Sequence, residues 1–159
     1  MKKLKLDIQR FADDHEADYT VSAGSKIEYS ETESGTYSRL YGLLKVPVIG
    51  EEPNDIDTTS LDNLEFETSK AGLKPAVKLN IDFNMENPDT NANINLVDDL
   101  ATSKKTYFFK ITRSNGIVHK FKSKVAYSFN EIGTNEIDKF TLYLRPIKEV
   151  ETTVPSTSA

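Results

Sequence analysis

Cysteine is absent from the 159 residues, and so is tryptophan. Without cysteine there are no disulfide scaffolds, thiolate zinc sites, iron–sulfur clusters or cysteine nucleophiles. Without tryptophan, the ring best suited to stacking on sugars is missing. Glycine (7) and proline (6) are few and scattered in turns, and no glycine-rich phosphate loop can be found. No apolar run approaches the ~20 residues a membrane-crossing helix needs. Histidine occurs only at 15 and 119. No serine sits in a Gly-x-Ser-x-Gly elbow, so that kind of nucleophilic triad has no local support. Positive charge is also short: 20 Lys and Arg face 25 Asp and Glu, for a net charge of −5. That balance is a poor footprint for wrapping duplex DNA.

What remains is 37% hydrophobic and 28% charged. The length suits one domain, or one domain with long arms. The acidic neighbours Glu51-Glu52 and Asp98-Asp99 are adjacent in sequence and do not meet the spacing of a glycosidase pair. The stretch from Asp82 to Glu86 resembles a calcium loop only at its start, because Asn87 stands where glycine is required and Pro88 follows. His15 and His119 read as ordinary surface or strand residues. No catalytic, cofactor-binding or metal-binding residue is assigned, and no cofactor is called for.

The patterning points to strands. Leu4, Leu6 and Ile8 alternate with Lys3, Lys5 and Asp7, the period of a one-faced strand. The apolar core of a secretory signal is missing there. An acidic run, Asp13 to Asp18, then reads as a solvated linker. We therefore expect an N-terminal arm over 1–25, a β-domain over 26–148 and a flexible C-terminal tail over 149–159. Strands are expected at 26–30 and 39–46. A long, broken connection follows at about 48–76, within which 56–61 and 64–68 could each pair briefly. Connections of that length are often functional.

The clearest strand is 76–85, with Val77, Leu79, Ile81 and Phe83 on the core face and Lys78, Asn80, Asp82 and Asn84 on the other. One helix is expected over 91–104, with Ile94, Val97, Leu100 and Ala101 forming its apolar stripe and Lys104 and Lys105 closing it. Strands at 107–113 and 117–129 flank Asn115-Gly116, the signature of a type I′ hairpin. In the second of these, Phe121, Val125, Tyr127 and Phe129 read as core. Lys120, Lys122 and Lys124 share the opposite face, which reads as solvated or as a lysine-guarded edge rather than a nucleic-acid contact. A last strand covers 140–145. With a single helix there are no parallel crossovers. The fold class is mainly β: an antiparallel β-sandwich or curved sheet with one flanking α-helix.

Four stretches resemble the major tail tube proteins of long, non-contractile-tailed (siphovirus-type) phages of Gram-positive bacteria. They are the opening MKKLKLDIQRFA, the segment YGLLKVPVIGEEP from Tyr41 to Pro53, IDTTSLDN from Ile56 to Asn63, and GLKP from Gly72 to Pro75 ahead of the alternating strand. The resemblance spans about residues 1–145. It implies subunits in hexameric rings, whose sheets join into a continuous barrel, with rings stacked into a tube that conducts DNA from the capsid into the host. It implies contact residues in the arm and the long connection: Leu4, Leu6, Ile8, Phe11, Val48, Ile49, Ile56, Leu61, Leu64 and Phe66. The implied partners are further copies of the chain, the tape measure protein, and tail terminator and tail-tip proteins, with transient, sequence-independent passage of double-stranded DNA and no membrane. The implied location is the virion tail, assembled in the host cytoplasm. An acidic balance suits such a conduit, since a negative bore repels phosphates. A monomeric surface-binding module, Ig-like or carbohydrate-binding, is the alternative; an enzyme is a third reading.

Overall fold

The computed structural model describes residues 23–50, 52–60, 68–88 and 91–156. The elements run β1 (Lys26–Ser30), β2 (Ser38–Leu40), β3 (Asp55–Asp57), β4 (Ser69–Ala71), β5 (Leu79–Asn84), α1 (Asn93–Thr102), β6 (Thr106–Thr112), β7 (Val118–Phe129), β8 (Lys139–Pro146) and β9 (Glu151–Thr153). Every strand pairing is antiparallel. The main sheet has the order β2-β1-β6-β7-β8-β5, with β9 also on β7, while β3 and β4 form a separate hairpin. The expected class, mainly β with one helix, is the observed one.

The expected strand at 39–46 is broken. β2 ends at Leu40, and Gly42 turns with φ 86°. The chain then crosses to the far edge of the sheet. Leu43 bridges Phe83, the Leu44 amide donates to the Asp82 carbonyl (3.0 Å), and the Asn84 amide donates to the Gly42 carbonyl (2.8 Å). One continuous segment thus pairs with β1 at its start and β5 at its end, and the curved sheet closes on itself. Closure satisfies edges that would otherwise stay open.

The core lies inside this curve. β5 presents Leu79, Ile81 and Phe83, all fully buried, opposite Leu144, Leu142 and Phe140 of β8. The rings of Phe83 and Phe140 stack at 5.2 Å, and those of Phe109 and Phe121 at 5.7 Å. Val77 precedes the strand and is half-buried against the core. Helix α1 buries Ile94, Val97 and Leu100, as its apolar stripe requires. It ends earlier than expected, because Ser103 caps it and Lys104 turns left-handed at φ 54°. The lysines therefore lie beyond the last turn.

Three further details depart from expectation. The β6–β7 hairpin is a three-residue loop: the Arg113 amide donates to the Ile117 carbonyl (2.8 Å), and only Gly116 takes positive φ. A type I turn with a glycine bulge satisfies the twist that a type I′ turn would have supplied. Phe129 is 64% exposed, since β7 runs past the end of the core there. Residues 151–153, expected in the tail, form β9 on Val118–Lys120 of β7. β9 continues the line of β8: the pairing sums rise from 269 (Ser123 with Pro146) to 271 (Val118 with Thr153), so 147–150 bulge outward by two residues.

Candidate assembly surface

A polar clamp sets the corner at Gly42. Asn93 is buried at the start of α1, and its Nδ2 donates to the Tyr41 carbonyl (2.9 Å) and the Asn84 carbonyl (2.8 Å). Its Oδ1 accepts from the Glu86 amide (3.1 Å), while its own amide donates to Glu86 Oε2 (2.9 Å). The Glu86 carboxylate thereby sits at the positive end of the helix. A Cβ on Gly42 would lie 2.5 Å from the Asn84 carbonyl oxygen and 2.8 Å from Asn93 Nδ2. Sheet closure, helix start and glycine corner are thus one interlocked unit.

Two titratable side chains buried in the sheet, His119 and Glu28, are held by near neighbours. His119 is buried in β7; Arg113 Nε–H donates to its Nε2 (2.9 Å). Nδ1 therefore carries the proton and faces Thr152 Oγ1 at 2.9 Å, pinning β9 to β7. Burial, then the Arg113 guanidinium, hold the imidazole below its ordinary value. Glu28, on the opposite face of the sheet, reaches Lys110 Nζ (2.9 Å) and Lys26 Nζ (3.3 Å). Burial raises its carboxyl, but the two ammonium groups outweigh that and hold it below the usual range. Among the described residues, no group of three or more His, Asp or Glu gathers to hold a metal.

Of the expected contact residues, Leu4, Leu6, Ile8, Phe11, Leu61, Leu64 and Phe66 lie outside the described residues. Val48 is 85% exposed and Ile56 is exposed, while Ile49 rests against the core. Of the two segments expected to pair briefly, 56–61 overlaps β3 and 64–68 ends just before β4; β3 pairs with β4 in the register Asp55 with Ala71, Ile56 with Lys70 and Asp57 with Ser69. All six of these side chains are exposed. Further exposed apolar residues were not among the expected contacts: Leu73 beside the hairpin, Phe129, Ile132 and Ile137 around the β7–β8 turn, and Ile147 and Val154 near the end. Ile132 and Ile137 gave no periodic signal, because both lie in an irregular loop. A cleft of about 480 Å³ separates 74–77 from the bulge at 147–150, bridged at its rim by Lys74 and Glu149 (2.9 Å).

The outer face of the sheet is cationic. β7 is a central strand, so its lysines do not guard an edge. Lys120, Lys122 and Lys124 all point outward and are exposed. Lys122 lies over the Phe108 ring (5.0 Å), and Lys110, tied to Glu28, lies over Tyr37 (4.6 Å). Arg145 adjoins them from β8 and, among the described residues, donates only to uncharged groups: the Leu79 and Leu144 carbonyls and Asn80 Oδ1.

This arrangement is similar to that of solved particle components. A chain in the tail of an empty gene transfer agent particle, determined with C6 symmetry, matches at 14% identity and TM-score 0.60, covering 81% of this chain and 95% of that one. A chain in the six-fold symmetrised baseplate of the anti-feeding prophage matches at 9% identity and TM-score 0.65, covering 86% and 97%. A chain in the native gene transfer agent virion matches at 11% identity and TM-score 0.57, covering 80% and 95%. The fold is one found in the tails and baseplates of phage-like particles. At such identities the likeness is one of architecture. No protein-family profile and no curated protein matches the sequence.

Proposed function

We propose that this chain is a structural subunit of a siphovirus-type phage tail, assembling into hexameric rings stacked as the tube through which DNA leaves for the host. The observation that carries the reading is the fold shared, over 81% of this chain, with a tail component solved in a C6-symmetric arrangement. The surface supports it. The long connection holds its apolar side chains, Val48, Ile56 and Leu73, in solvent, where a lone domain gains nothing from them. Together with the arm residues Leu4, Leu6, Ile8 and Phe11, and with Ile49, Leu61, Leu64 and Phe66, they are the proposed contacts between subunits and between rings. A ring built this way uses a heterologous interface, which closes without leaving free ends.

In this reading the chain is not an enzyme. Its partners are its own copies, the tape measure protein, and the terminator and tip proteins, in a virion tail put together in the host cytoplasm. Negative-stain electron microscopy at high protein concentration, beside light scattering at low concentration, tests it. Rings or hollow tubes with a central channel are expected. A monomer at every concentration and salt, even with a tail-tip complex added as nucleus, overturns the proposal in favour of a monomeric surface-binding module.

A further inference from the structure

Among the described residues, the outer sheet face carries like charges that no carboxylate pairs. Lys124 and Arg145 stand directly opposite each other in the β7–β8 register. Neither has a carboxylate within ion-pair distance among the described residues. Like charges directly opposite on a sheet are destabilising. Lys122 stands two residues along the same strand face, again without an ion pair. The acids nearby are spoken for: Glu28 by Lys26 and Lys110, Asp82 by Lys45, and Glu149 by Lys74. Glu33 and Glu151, which line a shallow cleft with Lys120 and Lys122, make no ion pair among the described residues, but Glu151 stands opposite Lys120, at the other end of the stripe from Lys124 and Arg145.

The complementary surface is in the same chain. The connection 48–76 holds seven acids and two lysines. Its hairpin places Asp55 and Asp57 on one face, both exposed and without an ion pair among the described residues, with Ile56 and Lys70 on the other. Asp57 is held ionised, below its ordinary value, by the Thr59 hydroxyl and by the Thr59 amide, which donates at 2.8 Å. Two residues on a strand are separated by about 7 Å. The backbone positions of Asp55 and Asp57 thus repeat at the spacing of those of Lys122 and Lys124. From these features we infer that the β3–β4 hairpin of one copy docks its Asp55/Asp57 face on the Lys122/Lys124/Arg145 face of a neighbouring copy. The inference rests on the ring assembly proposed above and names its contact. It also gives the basic stripe a place in a DNA conduit: covered by a neighbour's carboxylates, those lysines are withdrawn from phosphates that they would otherwise hold.

A reciprocal charge exchange tests it. One full-length variant carries Lys122→Glu and Lys124→Glu, the other Asp55→Lys and Asp57→Lys. Each alone sets like charge against like and is expected to lose rings and tubes, while keeping the circular dichroism of the wild type. Mixed one to one, each hairpin meets an opposite face, and an even-numbered ring of alternating subunits is expected to return. Should the glutamate variant misfold, Lys122→Gln and Lys124→Gln replace it, with at least a tenfold rise in the concentration needed for assembly as the expected result.

A second readout does not depend on rings. Carbodiimide joins touching carboxylates and amines, and a mixture of ¹⁵N-labelled and unlabelled wild-type protein separates links between copies from links within one. Links from Asp55 or Asp57 to Lys122 or Lys124 between copies are expected. Rings without those links, and without rescue in the mixture, overturn this contact and leave the tube reading standing. The links without rings support the contact and overturn the tube. Neither rings nor links overturns both.

Discussion

Strands β5 and β3 are built on the same alternation and meet opposite fates. β5 reads LNIDFN, and three of its six side chains are fully buried; β3 reads DID and is exposed throughout. The difference lies in the partner. Across from β5, β8 supplies Leu144, Leu142 and Phe140, so each apolar residue meets another. Across from β3, β4 supplies only Ala71, Lys70 and Ser69. Alternation makes a strand, but only paired alternation makes a core. The hairpin is held by its ladder and by Thr58, whose hydroxyl donates to the Thr68 carbonyl at 3.1 Å. It therefore stands as a preformed but unsealed edge, which is what a contact between subunits requires.

The largest expected effect breaks that contrast outright. Leu79→Asp buries an unpaired charge opposite Leu144, costs about 4 kcal/mol or more, and unfolds the domain. Ile56→Asp in the hairpin leaves the melting curve of the unassembled protein within about 0.5 kcal/mol of wild type, as surface changes do. Thermal melts by circular dichroism check both, and a folded Leu79→Asp protein would show that the phase of β5 is wrong.

Next in size is Gly42→Ala. The added methyl meets the Asn84 carbonyl oxygen, backbone that cannot swing aside, at a residue already at φ 86°. A loss of about 2–4 kcal/mol is expected in urea titrations. It should come with faster hydrogen exchange at the Leu44 and Asn84 amides, which close the sheet. Unchanged exchange at those amides would mean that closure does not depend on the corner.

Asn93→Ala follows, at about 1–3 kcal/mol, because it strips the partner from two part-buried carbonyls and from the Glu86 amide at once. Asn93→Asp should recover little, since the carboxylate cannot donate to the Tyr41 and Asn84 carbonyls.

These sites divide what the sequence discloses from what it conceals. Period-2 runs with apolar partners elsewhere in the chain were readable: β1, β5, β6 and β8 lie within a few residues of their expected bounds, as does α1. Asn93 was not readable as a hub, because its four bonds reach residues up to 52 positions away. The corner at Gly42 was equally hidden. Tyr41 to Val46 has the composition of a strand, and only tertiary pairing shows that it serves two edges in turn. β9 escaped notice because its residues, Glu-Thr-Thr, are polar, and what holds it is the ladder and one buried histidine. Of the contacts proposed in the connection, Val48 and Ile56 are exposed, as apolar side chains of a long loop, while Ile49 rests against the core. The clustered positive charge on β7 and β8 emerged only once the register set Lys124 against Arg145.

The smallest effect concerns that histidine. His119 is neutral in the folded protein, since its Nε2 accepts from Arg113 and its surroundings lower its proton affinity. The unfolded chain, with an ordinary imidazole, binds a proton more readily. Stability therefore falls as pH drops from about 6.5 towards the depressed folded-state value, and is fully present above that window. Glu28 acts in the same direction at lower pH. Its folded pKa is also depressed, so its contribution is present above the ordinary carboxylate value and is lost as pH falls through the folded one. The two are separable by substitution. His119→Gln should flatten the loss of stability that sets in below about pH 6.5 while leaving the carboxylate decline at lower pH in place. The site of the loss is local as well. A protonated His119 can no longer accept from Arg113, so exchange at the amides pairing β9 with β7 should rise before that at β5 and β8. If both pairs of strands loosen together on acidification, β9 is part of the sealed core. If β9 loosens first, the chain has a second unsealed edge, at the end of the sheet opposite to the closure made by Gly42.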